Sequence, residues 1–98
     1  MKRRGYTYIL TNKIRSVLYI GMTSDLRRRI WEHKQKLDPM SFTAKYNCDL
    51  LVYYIGFHHI EEAIAEEKRI KGGNRNAKLK LINSMNPKWE DLFELIED

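Results

Sequence analysis

Residues 5–11 alternate between two faces and are rich in β-formers, so they predict a first strand. Tyr6, Tyr8 and Leu10 share one face of it. Asn12 to Ser16 is a polar connection, and Val17 to Gly21 predicts a second strand. The pair reads as an antiparallel hairpin with a loop of about five residues. By parity, Val17, Tyr19 and Gly21 share a face, which sends Tyr8 and Tyr19 to the same side of the sheet while Ile9, Leu18 and Ile20 pack on the other. A helix capped by Thr23 or Ser24 is expected to run to about Lys36, with Leu26, Ile30, His33 and Leu37 as its inner stripe. Pro39 to Asn47 reads as a loop.

The apolar run Leu50–Phe57 predicts a third strand, long and apolar enough to be central. Ile60 to Lys71 predicts a second helix ended by Gly72-Gly73. Residues 74–85 predict a third helix, with Ala77, Leu81 and Ile82 inward. Asn86-Pro87 reads as the N-cap and first position of a last helix, with Trp89, Leu92, Phe93 and Ile96 on one face. The order ββαβααα describes an α+β fold, a small three-stranded antiparallel sheet flanked by helices. No internal repeat, low-complexity tract or linker interrupts it.

Composition narrows the class. Ninety-eight residues suit a single domain spanning 1–98, and a chain of this size buries roughly two-thirds of its unfolded surface. No apolar run approaches the roughly 20 residues that span a bilayer, and the basic Met-Lys-Arg-Arg start lacks the apolar stretch of a signal peptide. The single cysteine, Cys48, excludes an internal disulfide and reads as a packed free thiol in a reducing compartment. A cytoplasmic protein without a membrane partner is the expectation.

The net charge of +5 hides an asymmetry, because residues 89–98 carry five acids and no base, leaving 18 bases against 8 acids, a formal +10, in residues 1–88. Clustered bases gain affinity for polyanions by releasing counterions. Solubility alone accounts for the same balance, so charge leaves the two readings about even.

The chemistry lies on two helices. Arg29 lies four residues before His33, on one face near the edge of the buried stripe, whereas Arg27 and Arg28 are expected to project to solvent or a partner. A guanidinium beside the Tyr8–Tyr19 face can hold a phosphate bidentately and stabilise charge that develops on it, although an ordinary surface arginine fits the pattern too. His33 suits proton transfer or, slightly better, a core-edge histidine bonded to a backbone carbonyl.

On the second helix, Ile60, Ala63, Ile64, Glu67 and Ile70 share one inward face, so Glu67 is a carboxylate where a small apolar residue would normally sit. It needs a partner, which can be an arginine (Arg29 in a buried ion pair), a tyrosine hydroxyl or a cation. One carboxylate is few for calcium but suits Mg²⁺, which keeps most of its waters. Glu66 falls with Glu62 and Arg69 on the outer side. The acids form no two-metal cluster, His58-His59 lack zinc spacing, and Gly72-Gly73 is not a phosphate-binding loop.

These residues, in this order, resemble the GIY-YIG endonuclease superfamily. Tyr8 matches its first tyrosine, Tyr19-Ile20-Gly21 its second tripeptide, Arg29 its helix arginine, His33 the Tyr or His one turn later, and Glu67 its acidic metal ligand. Glu61–Lys71 and Asn86–Leu92 are similar to stretches of the short, single-domain bacterial members, the branch related to the N-terminal nuclease domain of a bacterial excinuclease, and the resemblance covers nearly the whole chain. Tyr6-Thr7-Tyr8 departs from Gly-Ile-Tyr, Met22 stands where some relatives have lysine, and the family's later asparagine has two candidates, Asn83 and Asn86.

The resemblance implies a DNA endonuclease, in a repair setting, that uses one Mg²⁺ or Mn²⁺ held by Glu67. Water attacks the phosphate, Tyr19 or Tyr8 accepts the proton, and Arg29 stabilises the charge. Arg27, Arg28, Lys34 and Lys45 are the candidate nucleic-acid contacts, and a protein partner supplying extra DNA affinity fits the small basic surface. A non-catalytic nucleic-acid-binding module and a small protein-interaction domain are the alternative readings.

Overall fold

The structure is a computed structural model that describes residues 3–97; Met1, Lys2 and Asp98, part of the basic start and of the acidic tail, lie outside the described residues. Three strands, β1 (Gly5–Thr11), β2 (Leu18–Thr23) and β3 (Leu50–Phe57), form an antiparallel sheet in the order β2-β1-β3. β1 is therefore central and β3 an edge, the reverse of what the apolarity of β3 suggested.

Both placements have local causes. All seven residues of β1 are buried, and its polar side chains are paired: Thr7 donates to the Ala63 carbonyl at 2.8 Å and Thr11 to the Val17 carbonyl at 2.8 Å. The free edge of β3 is in turn covered by the C-terminal tail. Leu92 N–H donates to the Leu51 carbonyl at 2.8 Å, Leu51 N–H to the Asp91 carboxylate at 3.2 Å, and the Asn86 amide to the Val52 carbonyl at 3.2 Å. An apolar strand can lie at an edge when its backbone groups are occupied in this way.

The hairpin parity holds. Tyr6, Tyr8 and Leu10 form one core cluster, with Tyr19 and Val17 packed against it, and Ile9 and Ile20 belong to a second cluster on the opposite face. A register shift between Ile9 and Leu10 pairs them with Tyr53 and Leu51, leaving Val52 as an extra residue. This bulge lets Val52 and Tyr53, consecutive in sequence, both face the second cluster.

Helix α1 (Leu26–Gln35) covers the first face through Leu26 and Ile30. Its cap is Asp25, whose carboxylate accepts from Arg28 N–H at 3.2 Å, while the Thr23 hydroxyl accepts from Asp25 N–H. Leu37 is 59 % exposed because the chain turns left-handed at Lys36 (φ 52) and the stripe ends there. The expected loop after Pro39 contains a one-turn helix, α2 (Phe42–Lys45), capped by Ser41.

Helix α3 (Ile60–Lys71) packs on the second face. A Cβ on Gly5 would lie 2.9 Å from the Ile60 Cα, so glycine permits the close approach. Ala63 and Ile70 are buried, but Ile64 lies at the margin of this narrow contact and is 38 % exposed. In α4 (Arg75–Met85) Ile82 is buried and Leu81 half-buried, whereas Ala77 faces solvent.

The expected last α-helix is a single 3-10 turn, Phe93–Leu95. Asn86 ends α4 instead of starting a new helix. Its amide donates to the Val52 and Glu90 carbonyls and its side-chain oxygen accepts from Glu90 N–H, and Trp89 turns left-handed (φ 55). Leu92 and Ile96 join the first cluster while Trp89 packs on the second, an arrangement that one helix face could not achieve.

Candidate active site

The site begins with a glycine. Tyr8 pairs with Gly21 across the β1–β2 ladder, and a Cβ on Gly21 would lie 2.5 Å from both the Tyr8 Cζ and its hydroxyl. The Tyr8 ring therefore lies across β2 where only a hydrogen leaves room. That places it in a triangle of rings. Tyr8 and Tyr19 have centroids 6.4 Å apart, Tyr8 and His33 5.8 Å, and Tyr19 and His33 5.7 Å.

Hydrogen bonds tie the triangle to α1 and α2. The Tyr8 hydroxyl lies 2.9 Å from His33 Nε2, and His33 Nδ1 lies 2.9 Å from the Thr43 hydroxyl, so both partners of His33 are side-chain hydroxyls rather than the expected backbone carbonyl. The Arg29 guanidinium lies close enough for its charge to act on the Tyr8 hydroxyl, and it holds Glu32 at 3.1 Å. Thr43 and Glu32 were missed in the sequence: the first sits in a segment that reads as loop, and the second reads as an ordinary surface acid.

Electrostatics divide the two titratable members. Burial, with Tyr19 adding to it, pushes the Tyr8 hydroxyl above its ordinary 10, against the pull of Arg29. Burial first, and the Arg29 charge second, hold His33 at about 4. Both are neutral at pH 7. Transferring the Tyr8 proton to His33 would run uphill, because burial disfavours both the tyrosinate and the imidazolium it would create. In the resting protein His33 therefore orients Tyr8 and does not deprotonate it.

Glu67 lies on α3 with its side chain 20 % exposed, and its charge is felt at Tyr8. Its partner is Lys71 at 3.3 Å rather than Arg29. Glu66 lies with Arg69 as expected and accepts two bonds from it, at 2.7 and 2.6 Å, but its side chain is only 17 % exposed. Among the described residues no group of three or more His, Cys, Asp or Glu side chains could hold a metal.

The expected nucleic-acid contacts divide. Arg28 is exposed beside Glu32 at 3.5 Å, and Lys45 is exposed on α2. Arg27 does not simply project to solvent, because it donates to the Ile96 carbonyl and lies over the Phe93 ring. Lys34 donates to the Asp49 carbonyl at 2.8 Å and to Asp91 at 2.5 Å, which anchors the tail. Both cations act inside the molecule because the acidic tail folds back onto α1. Asn83 accepts from the Trp89 indole and Asn86 is buried against the β3 edge, so each has structural work. Cys48 is a buried free thiol, raised by burial.

A cavity of about 260 Å³ opens beside the triangle, lined by Arg29, Glu32, His33 and Thr43 among others. A larger one, about 690 Å³, lies against the opposite edge of α1 near Arg3, Arg27, Trp31 and Phe93 and contains none of the triangle. Arg29 and His33, both expected site residues, line the smaller cavity and not the larger. No helix among the described residues is long and apolar enough to cross a membrane.

Comparison with known proteins assigns the chain to a family. The chain is 38 % identical over 87 residues to a UPF0213 protein of Clostridium perfringens (strain 13 / Type A), covering 89 % of this chain and 91 % of the relative. It is similar in structure to a UPF0213 protein of Bacillus halodurans solved by solution NMR, with a TM-score of 0.57 and 30 % identity over 96 % of this chain and 98 % of the other. The family model described as the GIY-YIG catalytic domain matches residues 4–81, a span that holds Tyr8, Tyr19, Arg29, His33 and Glu67, and the chain belongs to the GIY-YIG family.

Proposed function

We propose that this protein is a metal-dependent endonuclease that hydrolyses phosphodiester bonds in DNA at the face formed by Tyr8, Tyr19, Arg29, His33 and Glu67. One observation carries the reading. Arg29 stands beside Tyr8 and His33, two members of a triangle of rings completed by Tyr19, and an open cavity adjoins it.

Arg29 binds a phosphate oxygen through the donors not used by Glu32, and it stabilises the charge that grows on the phosphoryl group during attack. His33 holds the Tyr8 hydroxyl at 2.9 Å, with the Arg29 charge beside it. The raised pKa of Tyr8 makes it a poor proton acceptor. Its burial and this shift support the half-buried Tyr19 as the group that meets the attacking water, with Tyr8 in a positioning role.

The residues present fit a single Mg²⁺ or Mn²⁺ that keeps most of its water. Glu67 offers one carboxylate, and its partner Lys71 is 56 % exposed and free to swing away. Glu67 would hold the ion, which when bound supplies charge neutralisation at the leaving oxygen.

Cleavage of a labelled oligonucleotide duplex with and without Mg²⁺ or Mn²⁺ tests the proposal, alongside Mn²⁺ binding followed by NMR line broadening. Glu67→Gln is expected to lose metal binding and cleavage and keep the fold, while Glu66→Gln keeps all three. Binding of DNA without cleavage under every metal condition would give way to the reading as a binding module. Unchanged Mn²⁺ binding in Glu67→Gln would remove Glu67 as the ligand.

A further inference from the structure

Helix α2 has two faces with different chemistry. Thr43, 4 % exposed, points inward to His33, while Phe42 and Tyr46 stand 47 % and 51 % exposed. Phe42 stacks on Tyr19, with centroids 6.0 Å apart and planes at 28°, and Tyr46 follows Phe42 at 4.7 Å. A ladder of three aromatic rings thus runs from the candidate site out into solvent.

Cations border it. Lys45 is exposed on α2 between the two outer rings in sequence, and Lys71 and Lys78 line a shallow cavity of about 400 Å³ with Tyr19 and Phe42. Lys71 is paired with Glu67, whereas Lys78 donates to the Gly73 carbonyl, a neutral acceptor that leaves its charge uncompensated there. Exposed aromatic faces bordered by ammonium groups match the chemistry of a polynucleotide single strand, whose bases stack on rings while its phosphates meet cations. In an intact duplex the faces of interior bases are already stacked, so only an unpaired or extruded base can lie on the ladder.

We propose that Phe42 and Tyr46 form a stacking platform for an unpaired nucleobase next to the phosphate held at Arg29, which makes DNA with a single-stranded segment the preferred ligand over intact duplex. The assignment of that phosphate rests on the nuclease reading; the stacking does not. Because α2 also carries Thr43, a base on Phe42 bears on the element that holds His33. Platform occupancy and the geometry of the triangle are thereby linked.

The test uses the full chain and fluorescence anisotropy in EDTA, which separates binding from cleavage. The probes are a blunt duplex, the same duplex with a single-stranded overhang, and that overhang with abasic residues at the junction. Overhang DNA is expected to bind at least about tenfold tighter than blunt duplex, since one stacked base is typically worth about five- to a hundredfold. The ratio should collapse with abasic residues and in Phe42→Ala and Tyr46→Ala, and persist in Phe42→Trp. Tyr46 is half exposed at the end of α2, so its variant remains informative if Phe42→Ala unfolds.

Equal affinity for the three probes, a ratio indifferent to both alanine variants, or no binding at all would overturn the platform. A surviving platform in a protein that never cleaves would sink the nuclease reading alone. Cleavage of overhang DNA that is no faster than that of blunt duplex and is unaffected by either variant would sink the platform alone.

Discussion

Arg27 and Arg29 are two residues apart on one helix, identical in chemistry, and they have different fates. Arg29 leans over the edge of α1 that meets the sheet's first two strands, where its charge acts on Tyr8 and it bonds Glu32 beside an open cavity. Arg27 leans over the opposite edge, where it holds the Ile96 carbonyl and covers Phe93. Lys34, about two turns further on, shares the Arg27 side and pins Asp91. The helix therefore has a chemical edge and a structural edge, set by which segment packs alongside each. A basic count by itself cannot distinguish them: an arginine drawn into tertiary contacts contributes to folding as well as to any polyanion surface.

The comparison is broken most directly by paired substitution. Arg29→Ala is expected to lower kcat by on the order of a hundredfold to a thousandfold, while Arg27→Ala lowers it far less. Equal losses in steady-state cleavage would mean that the arginines form one electrostatic patch. An activity-free readout exists as well. The Arg29 charge helps hold His33 at about 4, so the His33 titration followed by NMR should move up in Arg29→Ala and stay in place in Arg27→Ala.

A second test uses pH, because the chemical edge holds a buried titratable group. The folded pKa of His33, about 4, lies below its ordinary 6.5, so the unfolded chain binds the proton first as the solution is acidified. The resulting stability is fully present above about pH 6.5 and is lost as pH falls toward 4, by at most about 3 kcal/mol. Urea midpoints at pH 7 and 4.5 should differ by less in His33→Gln than in the parent. The same difference in both proteins would show that other groups carry the acid sensitivity.

Gly21→Ala sharpens the comparison on the side of geometry. Its Cβ would meet the Tyr8 ring at 2.5 Å, so Tyr8 must shift away from His33 and Arg29. A loss of roughly 1–3 kcal/mol in stability is expected, accompanied by loss of activity at the Arg29 edge. A stable variant with full cleavage would show that the Tyr8 position is not critical.

Arg27→Ala should give the smallest effect, about 1 kcal/mol of stability and a melting temperature lower by roughly 5 °C, through release of the tail from α1. Hydrogen exchange should quicken at Leu92, whose N–H bonds to Leu51, and remain slow within β1. Unchanged exchange at Leu92 would mean that Lys34 and Asp91 hold the tail without Arg27.

Patterning by itself determined the hairpin, the helix Ile60–Lys71 and the sharing of one sheet face by Tyr8 and Tyr19. These follow from periodicity, which is local: parity along a strand and the angular step along a helix assign faces before any partner is known. The order of Tyr8, Tyr19-Ile20-Gly21, Arg29 and Glu67 was enough to indicate the family.

Tertiary structure decided what depends on a partner. β1 is central because α1 and α3 cover both its faces and its hydroxyls find acceptors, which no count of apolar residues reveals. Asn86 could have capped a helix, but the open edge of β3 claimed its amide. Tyr8, His33 and Thr43 are joined across 35 positions of sequence by contacts between β1, α1 and α2, and the tail chose Arg27 and Lys34 as its anchors. Periodicity tells a side chain which way to face. Only the folded chain supplies what it meets there, and the hydrogen bonding and desolvation that follow set the chemistry.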